Sequence, residues 1–270
     1  MNFSISGKVA FVTGAAGGIG SATARLFVSQ GVAVALFDLD GEGAERLAAE
    51  LREQGGRAIG GALDVRELTP FEAAVARTEQ ELGSLDFMVS VAGGGSRQSM
   101  ATMSLDDWHG IVDLNLTGPF NAIKSATPAL RRRGSGAIVT VGSLAGLRMS
   151  MNNGVSYTAS KAGVLGLTRH AAYELGRDNI RVNAVLPGPV LTPQMKAKIS
   201  AETLARVPRE LPLGRWVQPE EVAAPILFFC SAMANACTGT HVIIDGGQHV
   251  GATSSRDEYD RTRDQQQRAA

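Results

Sequence analysis

The eight residues that decide the fold lie near the start of the chain and read Thr13-Gly14-Ala15-Ala16-Gly17-Gly18-Ile19-Gly20. They connect a short apolar run, residues 9–12, to a longer helical pattern at about 18–30. Glycines in such a turn let another group approach the backbone closely, and the free amides at the start of the helix suit a pyrophosphate. Because any strand-to-helix turn can use glycine, the surrounding sequence has to support this interpretation.

Short apolar runs alternate with longer helical patterns along the rest of the chain. Continuous apolar runs indicate strands that are buried on both faces, which is typical of a parallel sheet with helices on each side. Seven strands are predicted at residues 9–12, 32–37, 57–63, 87–91, 137–141, 180–186 and 241–244. Helices are predicted at about 18–30, 41–54, 69–82, 104–133, 155–177 and 219–232. The alternation predicts one doubly wound α/β domain over residues 1–252.

Two segments do not follow this alternation. Residues 187–219 are punctuated by proline, and we expect residues 189–215 within them to form a loop that contacts the substrate. Residues 253–270 are polar and rich in Arg, Asp and Gln, so they are predicted to be a flexible C-terminal tail.

Asp38 follows the second predicted strand, eighteen residues after Gly20. A carboxylate at this point can accept hydrogen bonds from the hydroxyls of an adenosine ribose. The alternative is that Asp38 caps the next helix, but the order of turn, strand and acid favours ribose binding. The same carboxylate would repel a ribose phosphate, and residues 15–17, 39 and 40 offer no compensating cation. The sequence therefore predicts NAD in preference to NADP.

Composition excludes several classes of function. The 270 residues carry 26 Lys and Arg against 26 Asp and Glu, so no overall field attracts nucleic acid or a membrane, and we expect neither as a partner. Two cysteines are too few for a disulfide framework, and the four histidines lack metal-ligand spacing, so no metal is expected. The start of the chain lacks a basic flank followed by a long apolar stretch, so we expect a cytoplasmic protein.

Tyr157 and Lys161 are four residues apart in a predicted helix and therefore share one face. A tyrosine ordinarily titrates near pH ~10, and a neighbouring ammonium is expected to lower its pKa. The pair can therefore act as acid and base at a reacting oxygen. The alternative is a surface tyrosine beside a solvated lysine, which the pair alone does not exclude.

The turn and the Tyr-Lys pair together resemble two motifs of the short-chain dehydrogenase/reductase family, and the resemblance extends over residues 7–247. The family's T-G-x-x-x-G-x-G turn matches residues 13–20, and its Y-x-x-x-K motif matches residues 157–161. Two further positions match catalytic residues of the family, namely Asn115 in the sequence Asn-Leu-Thr-Gly-Pro-Phe and Ser143 after the fifth strand. The resemblance implies a single Rossmann-type domain whose seven parallel strands have the order 3-2-1-4-5-6-7.

The resemblance also implies how these residues act. Tyr157 would exchange a proton with the substrate oxygen while Ser143 hydrogen-bonds the same oxygen. Lys161 would bind ribose and polarise Tyr157, and Asn115 would hold a water that connects Lys161 to solvent. The activity implied is hydride transfer between NAD and a secondary alcohol or ketone.

The remaining cofactor contacts are likewise implied by the resemblance. The residues at matching cofactor-binding positions are Gly14, Gly17, Gly18, Ile19, Gly20, Asp38, Asp64, Val65, Ala92, Gly93, Tyr157, Lys161, Pro187, Val190 and Thr192. Asp64 and Val65 would contact the adenine, and Thr192 would hold the nicotinamide carboxamide. One departure is the sequence Ser90-Val91-Ala92-Gly93, where the family commonly has Asn-Asn-Ala-Gly, so this turn lacks the hydrogen bonds that the two asparagines make.

Substrate contacts are expected from three segments, residues 94–100, 144–156 and 191–211. The members of an adaptable apolar wall would be Met149, Met151, Leu191 and Met195. The cations in these segments are either surface charges or partners of an anionic substrate group, and they are Arg97, Arg148, Lys196 and Lys198.

Two alternative functions remain open. A 3-oxoacyl-thioester reductase is common in the resembling family, although it usually goes with a basic NADP-binding turn that this chain lacks. A non-catalytic nucleotide-binding scaffold would not need the four catalytic matches. The predicted helices 104–133 and 155–177 correspond to dimer interfaces in the resembling family, so we expect a homo-oligomer, with a tetramer as the expected form.

Overall fold

One parallel sheet runs through the part of the chain that the structure, a computed structural model, describes: residues 3–96, 98–150 and 153–251. Its seven strands are β1 (Val9–Thr13), β2 (Ala33–Asp38), β3 (Ala58–Ala62), β4 (Phe87–Ser90), β5 (Gly136–Val141), β6 (Ile180–Pro187) and β7 (His241–Ile244). Neighbouring strands follow the order β3-β2-β1-β4-β5-β6-β7. The predicted strands and their order are therefore confirmed. The predicted tail, residues 253–270, and two predicted substrate contacts, Arg97 and Met151, lie outside the described residues.

Helices connect the strands and cover both faces of the sheet. They are α1 (Gly18–Ser29), α2 (Gly41–Glu53), α3 (Leu68–Leu82), α4 (Leu105–Val112), α5 (Gly118–Arg133), α6 (Val155–Leu175), α7 (Pro193–Lys196), α8 (Ala201–Glu210) and α9 (Pro219–Cys230). Five of the six predicted helices are present with ends within two residues of the predicted ones. Across residues 3–96, 98–150 and 153–251, no helix has the length and apolar character that crossing a membrane requires.

The long helix predicted at 104–133 runs from α4 to α5 but contains a π-helical turn, Asp113–Thr117. In a π turn the backbone bonds to the carbonyl five residues earlier, and the Gly118 N–H accordingly bonds to the carbonyl of Asp113. Apolar periodicity does not predict such a turn. It carries Asn115, one of the predicted site residues, and π turns are frequent at functional sites.

Alternate residues of the inner strands pack on opposite faces of the sheet. In β1, Val12 belongs to the core on the side of α1, α2 and α9, whereas Phe11 belongs to the core on the side of α3, α5 and α6. Phe11 is fully buried and stacks on Phe37 and Phe71, with ring centroids 4.8 and 5.5 Å away. Burying one such side chain contributes about 1.5–3 kcal/mol to the stability of the fold. The two cores therefore hold the ends of the central strands in place.

The last strand, β7, departs from the predicted burial on both faces. His241 is exposed and Val242 is 37% exposed, because β7 is the edge strand and pairs only with β6. The expectation that this apolar run is buried is therefore wrong for the single chain.

The proline-punctuated segment 187–219, in which the sequence predicts a loop, contains α7 and α8. Helix α8 begins after Ser200, whose hydroxyl accepts a hydrogen bond from the Thr203 N–H at 3.1 Å. The buried members of the apolar cluster formed here are Val207, Leu211 and Trp216. The cap and the helical spacing of the apolar residues are the sequence signals for α8, so the prediction of a loop at 189–215 is corrected to two helices and their connections.

A cluster of charged groups joins the amino-terminal ends of β1 and β4. Asp86, just before β4, is buried. Its Oδ1 accepts from Lys8 Nζ at 3.2 Å and from Arg133 Nη2 at 2.9 Å, and its Oδ2 accepts from the Val9 N–H at 3.0 Å. Burial alone would raise the pKa of Asp86, but the hydrogen bonds from Arg133 and Val9 and the charge of Lys8 outweigh it, so the pKa lies below its ordinary value.

Candidate active site

The predicted functional residues gather at the carboxyl ends of the strands, where open α/β sheets bind their ligands. Thr13, Asp38 and Ser90 end β1, β2 and β4. Pro187 ends β6, and Ser143 lies two residues after the end of β5. Because the chain turns outward in opposite directions from the adjacent strands β1 and β4, a crevice is expected between their carboxyl ends.

The glycines of the turn after β1 allow close packing that a side chain would block. Gly14 has a φ of +64°, and a Cβ there would lie 2.8 Å from the Ala92 nitrogen. A Cβ on Gly20 would overlap the carbonyl oxygen of Gly14. The turn therefore requires glycine at both positions, and it brings the start of α1 next to the residues that follow β4.

Thr13 holds the turn that follows β4. Its Oγ1 accepts hydrogen bonds from the N–H of Val91 at 3.0 Å and from the N–H of Ala92 at 3.2 Å. These hydrogen bonds hold the turn in which the family commonly has two asparagines and this chain has Ser90 and Val91. The motif includes Thr13 but does not predict this role, and its place directly before the glycine turn is the only signal for it.

The N-terminus of α1 is suited to an anion. Its N-cap is Gly17, which has no side chain to bond the first amides, and the first turn contains no acidic residue. In contrast, the side chains of Asp40, Ser104 and Ser200 cap α2, α4 and α8. The amides of α1 are therefore available to a bound phosphate group.

Asp38 is partly buried and ties the glycine turn to the end of β2. Its Oδ2 accepts from the Ala16 N–H at 3.0 Å, and its Oδ1 accepts from the Asp40 N–H at 3.0 Å. The cap of α2 is Asp40, whose Oδ1 accepts from the Gly43 N–H at 2.9 Å. The alternative role of Asp38 as the helix cap is therefore wrong, and its carboxylate stays at the edge of the crevice.

Asp64 and Val65 follow β3 and lie against α5. Val65 is buried, and its carbonyl oxygen accepts from Asn121 Nδ2 at 2.9 Å. The Arg66 guanidinium donates to both carboxylate oxygens of Asp64, and this interaction holds the pKa of Asp64 below its usual value. The predicted adenine contact is therefore already engaged by Arg66, a partner that the sequence does not predict.

Ser143 and Tyr157 meet through their side chains. Ser143 Oγ accepts from the Ala145 N–H at 3.1 Å, and its hydroxyl lies close enough to the Tyr157 phenol to favour the phenolate by hydrogen bonding. Burial raises the pKa of Tyr157 above its ordinary value, and the hydrogen bond with Ser143 offsets part of that rise. The expectation that Lys161 lowers this pKa is therefore wrong for the free protein, where loss of hydration dominates.

Lys161 is buried beside Tyr157 and is only 3% exposed. Its Nζ lies 5.6 Å from the centroid of the Tyr157 ring and donates to the carbonyl oxygen of Val141 at 2.9 Å. Burial lowers the pKa of Lys161 to about 8, because the ammonium loses hydration. The alternative of a solvated surface lysine is therefore wrong.

Asn115 is fully buried in the π turn and fixes the segment that follows β4. Its Nδ2 donates to the carbonyl oxygens of Gly94 at 2.8 Å and Ile111 at 2.9 Å, and its Oδ1 accepts from the Gly94 N–H at 3.2 Å. A Cβ on Gly93 would lie 2.9 Å from Asn115 Oδ1 and 3.3 Å from Lys161 Nζ. The structure thus brings Asn115 and Lys161 together around Gly93.

The segment that begins at the last residue of β6, residues 187–192, reaches the glycine turn. Val190 within it is buried. Thr192 caps α7, since its Oγ1 accepts from the Met195 N–H at 3.1 Å. A Cβ on Gly18 would lie 2.7 Å from the Thr192 Cβ, so the two segments are in contact. The Thr192 hydroxyl keeps its own proton, which it can donate to a carboxamide oxygen.

These residues fit a dinucleotide such as the family resemblance implies. The glycine turn and the open N-terminus of α1 would hold the pyrophosphate, Asp38 would hold the adenosine ribose, and Lys161 would reach the second ribose. Ile19 packs against the core in the first turn of α1 and supports this end of the crevice. Over the described ranges, no group of three or more His, Cys, Asp or Glu side chains could hold a metal ion.

A separate cavity of about 330 Å³ lies at the carboxyl end of β7. Its charged lining residues are Arg215, Glu221, Asp245 and His249, none of which the sequence predicts as a site residue. Arg215 donates to both carboxylate oxygens of Glu221, and His249 Nδ1 lies 2.9 Å from Asp245 Oδ2. Because these groups are paired with one another and no predicted catalytic residue lines the cavity, the chemistry is assigned to the region of Tyr157.

Known proteins with similar sequences are oxidoreductases. A family model described as enoyl-(acyl carrier protein) reductase matches residues 14–249. A 3-oxoacyl-(acyl-carrier-protein) reductase from Thermotoga maritima is 37% identical over 243 residues, which cover 90% of this chain and 98% of the relative. A cis-4-hydroxycyclohexanecarboxylate dehydrogenase from Sinomonas cyclohexanicum is 40% identical over 241 residues, which cover 89% of this chain and 96% of the relative.

One solved structure shares the fold of this chain over nearly the whole length of both proteins. It is a 3-oxoacyl-(acyl-carrier protein) reductase with bound NAD from Brucella melitensis, and it matches with a TM-score of 0.84 at 35% identity. The match covers 93% of this chain and 94% of that chain.

Proposed function

The chain belongs to the short-chain dehydrogenase/reductase family, and on that premise we propose that it transfers a hydride between NAD and a secondary alcohol or its ketone. Tyr157 acts as the general acid and base. The observation that carries this proposal is the convergence of the Ser143 and Tyr157 side chains beside the buried Lys161, whose Nζ lies 5.6 Å from the centroid of the Tyr157 ring. Two hydroxyls and a cation that converge in this way can hold a substrate oxygen and move its proton.

The proton moves between the substrate oxygen and the phenol. In alcohol oxidation, Tyr157 takes the hydroxyl proton, and Ser143 holds the same oxygen by a hydrogen bond. In ketone reduction, Tyr157 returns the proton to the oxygen. When bound, NAD supplies the nicotinamide carbon that exchanges the hydride with the substrate carbon. Because burial raises the pKa of Tyr157, the free protein carries a neutral phenol at neutral pH, which is the form that donates to a ketone.

Lys161 supplies positive charge next to the phenol. With a pKa of about 8, it is mainly protonated at neutral pH, and its charge favours the phenolate that forms during oxidation. Asn115 holds the segment at Gly93 beside Lys161 and, in the proposed mechanism, also holds a water that links Lys161 to solvent. The proton can then leave without stranding a charge in the buried site.

Asp38 supports NAD over NADP. Its carboxylate is held at the ribose end of the crevice by the N–H groups of Ala16 and Asp40, and it would repel a ribose phosphate. Arg46, a cation on the following helix, lies 3.7 Å from Asp40 and 3.5 Å from Glu42. It is therefore already paired with two carboxylates and does not offer an unpaired partner for a phosphate.

The proposed substrate is a small secondary alcohol, with ring alcohols as the first class to test. The Sinomonas cyclohexanicum relative is named for a hydroxylated cyclohexane ring that carries a carboxylate. Met149 and Met195 expose 69% and 36% of their surface on two of the predicted substrate segments and could contact such a ring. Arg148 is exposed, and the one hydrogen bond that its guanidinium makes within the described residues goes to the carbonyl oxygen of Gln248, so the guanidinium remains available to a carboxylate.

A 3-oxoacyl-thioester reductase is the second candidate. The Thermotoga maritima and Brucella melitensis proteins carry that name, and the Brucella structure contains NAD. Binding of NAD therefore does not by itself separate the two functions. A non-catalytic scaffold is the weakest candidate, because Ser143 and Tyr157 lie side by side and Lys161 is buried next to them.

The proposed form of the enzyme is a cytoplasmic homotetramer. Phe120 on α5 and Tyr173 on α6 are 46% and 91% exposed, and β7 leaves one backbone edge unpaired. Further copies of the chain would cover these surfaces. Cys230 and Cys237 are free thiols, in keeping with a reducing compartment. A monomer by light scattering at micromolar concentration would contradict the oligomer.

The deciding experiment offers the purified protein both cofactors and several substrate classes. Cyclohexanol, cis-4-hydroxycyclohexanecarboxylate and acyclic secondary alcohols are tested with NAD and NADP, and a 3-oxoacyl thioester is tested with NADH and NADPH. With NAD, we expect the absorbance of NADH to appear in the presence of at least one secondary alcohol. With NADP, we expect a much smaller rise in the absorbance of NADPH. Turnover of the thioester alone would establish the second candidate in its place.

A further inference from the structure

One side chain that the proposed chemistry does not use ties the segment after β6 to the glycine turn. Gln194, in α7, donates from its Nε2 to the carbonyl oxygen of Ala16 at 3.2 Å. The two residues are 178 positions apart in the sequence, so the bond joins two separate walls of the crevice. Gln194 is exposed, and the bond is therefore not needed to satisfy a buried polar group.

The contact is part of a strap, which we define as residues 190–196. Its first part is anchored away from the glycine turn, because the Leu191 N–H donates to the carbonyl oxygen of Val217 at 2.9 Å. Its middle part rests on the turn, where a Cβ on Gly18 would lie 2.7 Å from the Thr192 Cβ. The strap thus passes beside the open N-terminus of α1, the place suited to a pyrophosphate.

Ala16 is held from both sides of the crevice. Its N–H donates to Asp38 Oδ2 at 3.0 Å, and its carbonyl oxygen accepts from Gln194 at 3.2 Å. A single residue of the turn therefore links the carboxylate proposed for the adenosine ribose to the strap that carries Thr192. A glutamine suits this position because its amide donates a hydrogen bond without placing a negative charge near the phosphates.

We propose that Gln194 is a positioning residue for the cofactor, which closes the strap beside the pyrophosphate and slows the departure of NAD. The inference rests on the proposed function, since it takes NAD as the ligand. The strap must release its bond to Ala16 for the cofactor to exchange. AMP lacks the second phosphate, the second ribose and the nicotinamide of NAD. It would lie mainly at the end of the crevice near Asp38, Asp64 and Val65, so it should leave without this step.

The test compares Gln194→Leu, which keeps the size of the side chain but removes the donor, with Gln54→Leu, the same change at an exposed glutamine after α2 whose Nε2 donates to Glu50 at 3.1 Å. The dissociation rate of NADH is measured by stopped-flow fluorescence, and equilibrium binding is measured for NADH, ADP-ribose and AMP. We expect NADH to leave Gln194→Leu about three to ten times faster, as the loss of one hydrogen bond predicts. ADP-ribose binding should weaken similarly in Gln194→Leu, while AMP binding by this variant and NADH release by Gln54→Leu should match wild type.

Gln194→Glu should release NADH faster still, because the carboxylate repels both the phosphates and the Ala16 carbonyl oxygen. An unchanged NADH dissociation rate in Gln194→Leu would overturn the inference. Equal weakening of AMP and NADH would also overturn it, since the variant would then have damaged the glycine turn itself. If the wild-type protein bound AMP but not NADH, the proposed function would fail, and the inference with it.

Discussion

Lys161 Nζ lies 5.6 Å from the centroid of the Tyr157 ring, and burial changes the pKa of both groups. It lowers the pKa of Lys161 to about 8 and raises the pKa of Tyr157. Both changes favour the neutral form of the side chain. At neutral pH the charged lysine is therefore kept in an environment that opposes its charge, and this should be visible in the stability of the protein.

Lys161→Met should abolish turnover but raise the free energy of unfolding at pH 7. The folded-state pKa of about 8 lies below the ordinary value of 10.5, so the unfolded chain binds this proton more tightly. Below both pKa values, the cost of burying the charged Lys161 is fully present. At about 1.4 kcal/mol per pKa unit, this cost is about 3 kcal/mol. Loss of the hydrogen bond to Val141 offsets about 1 kcal/mol, which leaves a gain of about 2 kcal/mol in urea unfolding.

The same linkage gives a pH dependence. As the pH rises from about 8 to about 10.5, the wild-type folded state loses its proton first and its stability rises, so the advantage of Lys161→Met should shrink. Lys124→Met, at an exposed position on α5, serves as the control and should show no such trend. A stability difference between wild type and Lys161→Met that stays constant with pH would refute this account of Lys161.

Tyr157→Phe should abolish turnover and leave NADH binding within about twofold of wild type, because the phenol proton serves the chemistry and the ring remains. Tyr173→Phe on the same helix, where the side chain is 91% exposed, is the matched control and should keep full activity. Initial rates and NADH fluorescence titrations measure the two effects. Substantial turnover by Tyr157→Phe would remove Tyr157 from its assigned role.

Asp38→Ala should narrow the preference for NAD, measured as the ratio of kcat/KM with NAD to kcat/KM with NADP. The variant removes the charge that repels a ribose phosphate and also frees the N–H groups of Ala16 and Asp40. Asp40→Ala should lower stability by about 1 kcal/mol through loss of the cap of α2, with the cofactor ratio unchanged. If both variants altered the ratio equally, the effect would come from the loop and not from Asp38.

Gly18→Ala should weaken NAD binding with little loss of stability, because the new Cβ would lie 2.7 Å from the Thr192 Cβ and push residues 190–196 away. Gly110→Ala lies in α4 with open space around the new Cβ, and it should be neutral or stabilising by up to about 1 kcal/mol. Calorimetric NAD titrations and thermal unfolding measure the two quantities. Wild-type affinity in Gly18→Ala would show that these segments are not in contact in solution.

Asp86→Asn should lower the free energy of unfolding by about 1–3 kcal/mol at pH 7, because Arg133 and Lys8 lose a charged partner. Since the pKa of Asp86 is lowered on folding, its contribution is present above the unfolded value of about 3.9 and disappears as the pH falls through the folded value. The difference between wild type and variant should therefore vanish in acid. Glu81→Gln, in an exposed pair with Arg77, should change stability by less than about 0.5 kcal/mol.

The sheet could be predicted from the sequence because its inner strands are buried on both faces and carry no polar alternation. Strands such as Phe87–Ser90 and Ala33–Asp38 therefore stand out as apolar runs. The site residues Ser143 and Tyr157 could be predicted because short motifs mark them. The pKa changes of Tyr157 and Lys161 could not be predicted, since the burial of these two side chains depends on segments that are distant in the sequence.

The other contacts that the sequence does not predict join segments that are distant along the chain. The bond from Gln194 to Ala16 joins residues 178 positions apart, and neither side chain type suggests it. The bonds from Val91 and Ala92 to Thr13 Oγ1 likewise depend on β1 and β4 being neighbours. The choice between Asp38 and Asp40 as helix cap depends on backbone angles over three residues, which local composition does not determine.

The π turn at Asp113–Thr117 keeps the helix before it and α5 after it in phase with the core. A π turn contains about one residue more than an α turn, so winding the same residues as an ordinary α-helix would rotate everything after them by about 100°. Asn121 would then no longer reach the Val65 carbonyl oxygen, and the buried face of α5 would turn towards solvent. Relatives that use both Asn115 and Asn121 in the same way should therefore keep the extra residue of this turn, whatever their overall similarity.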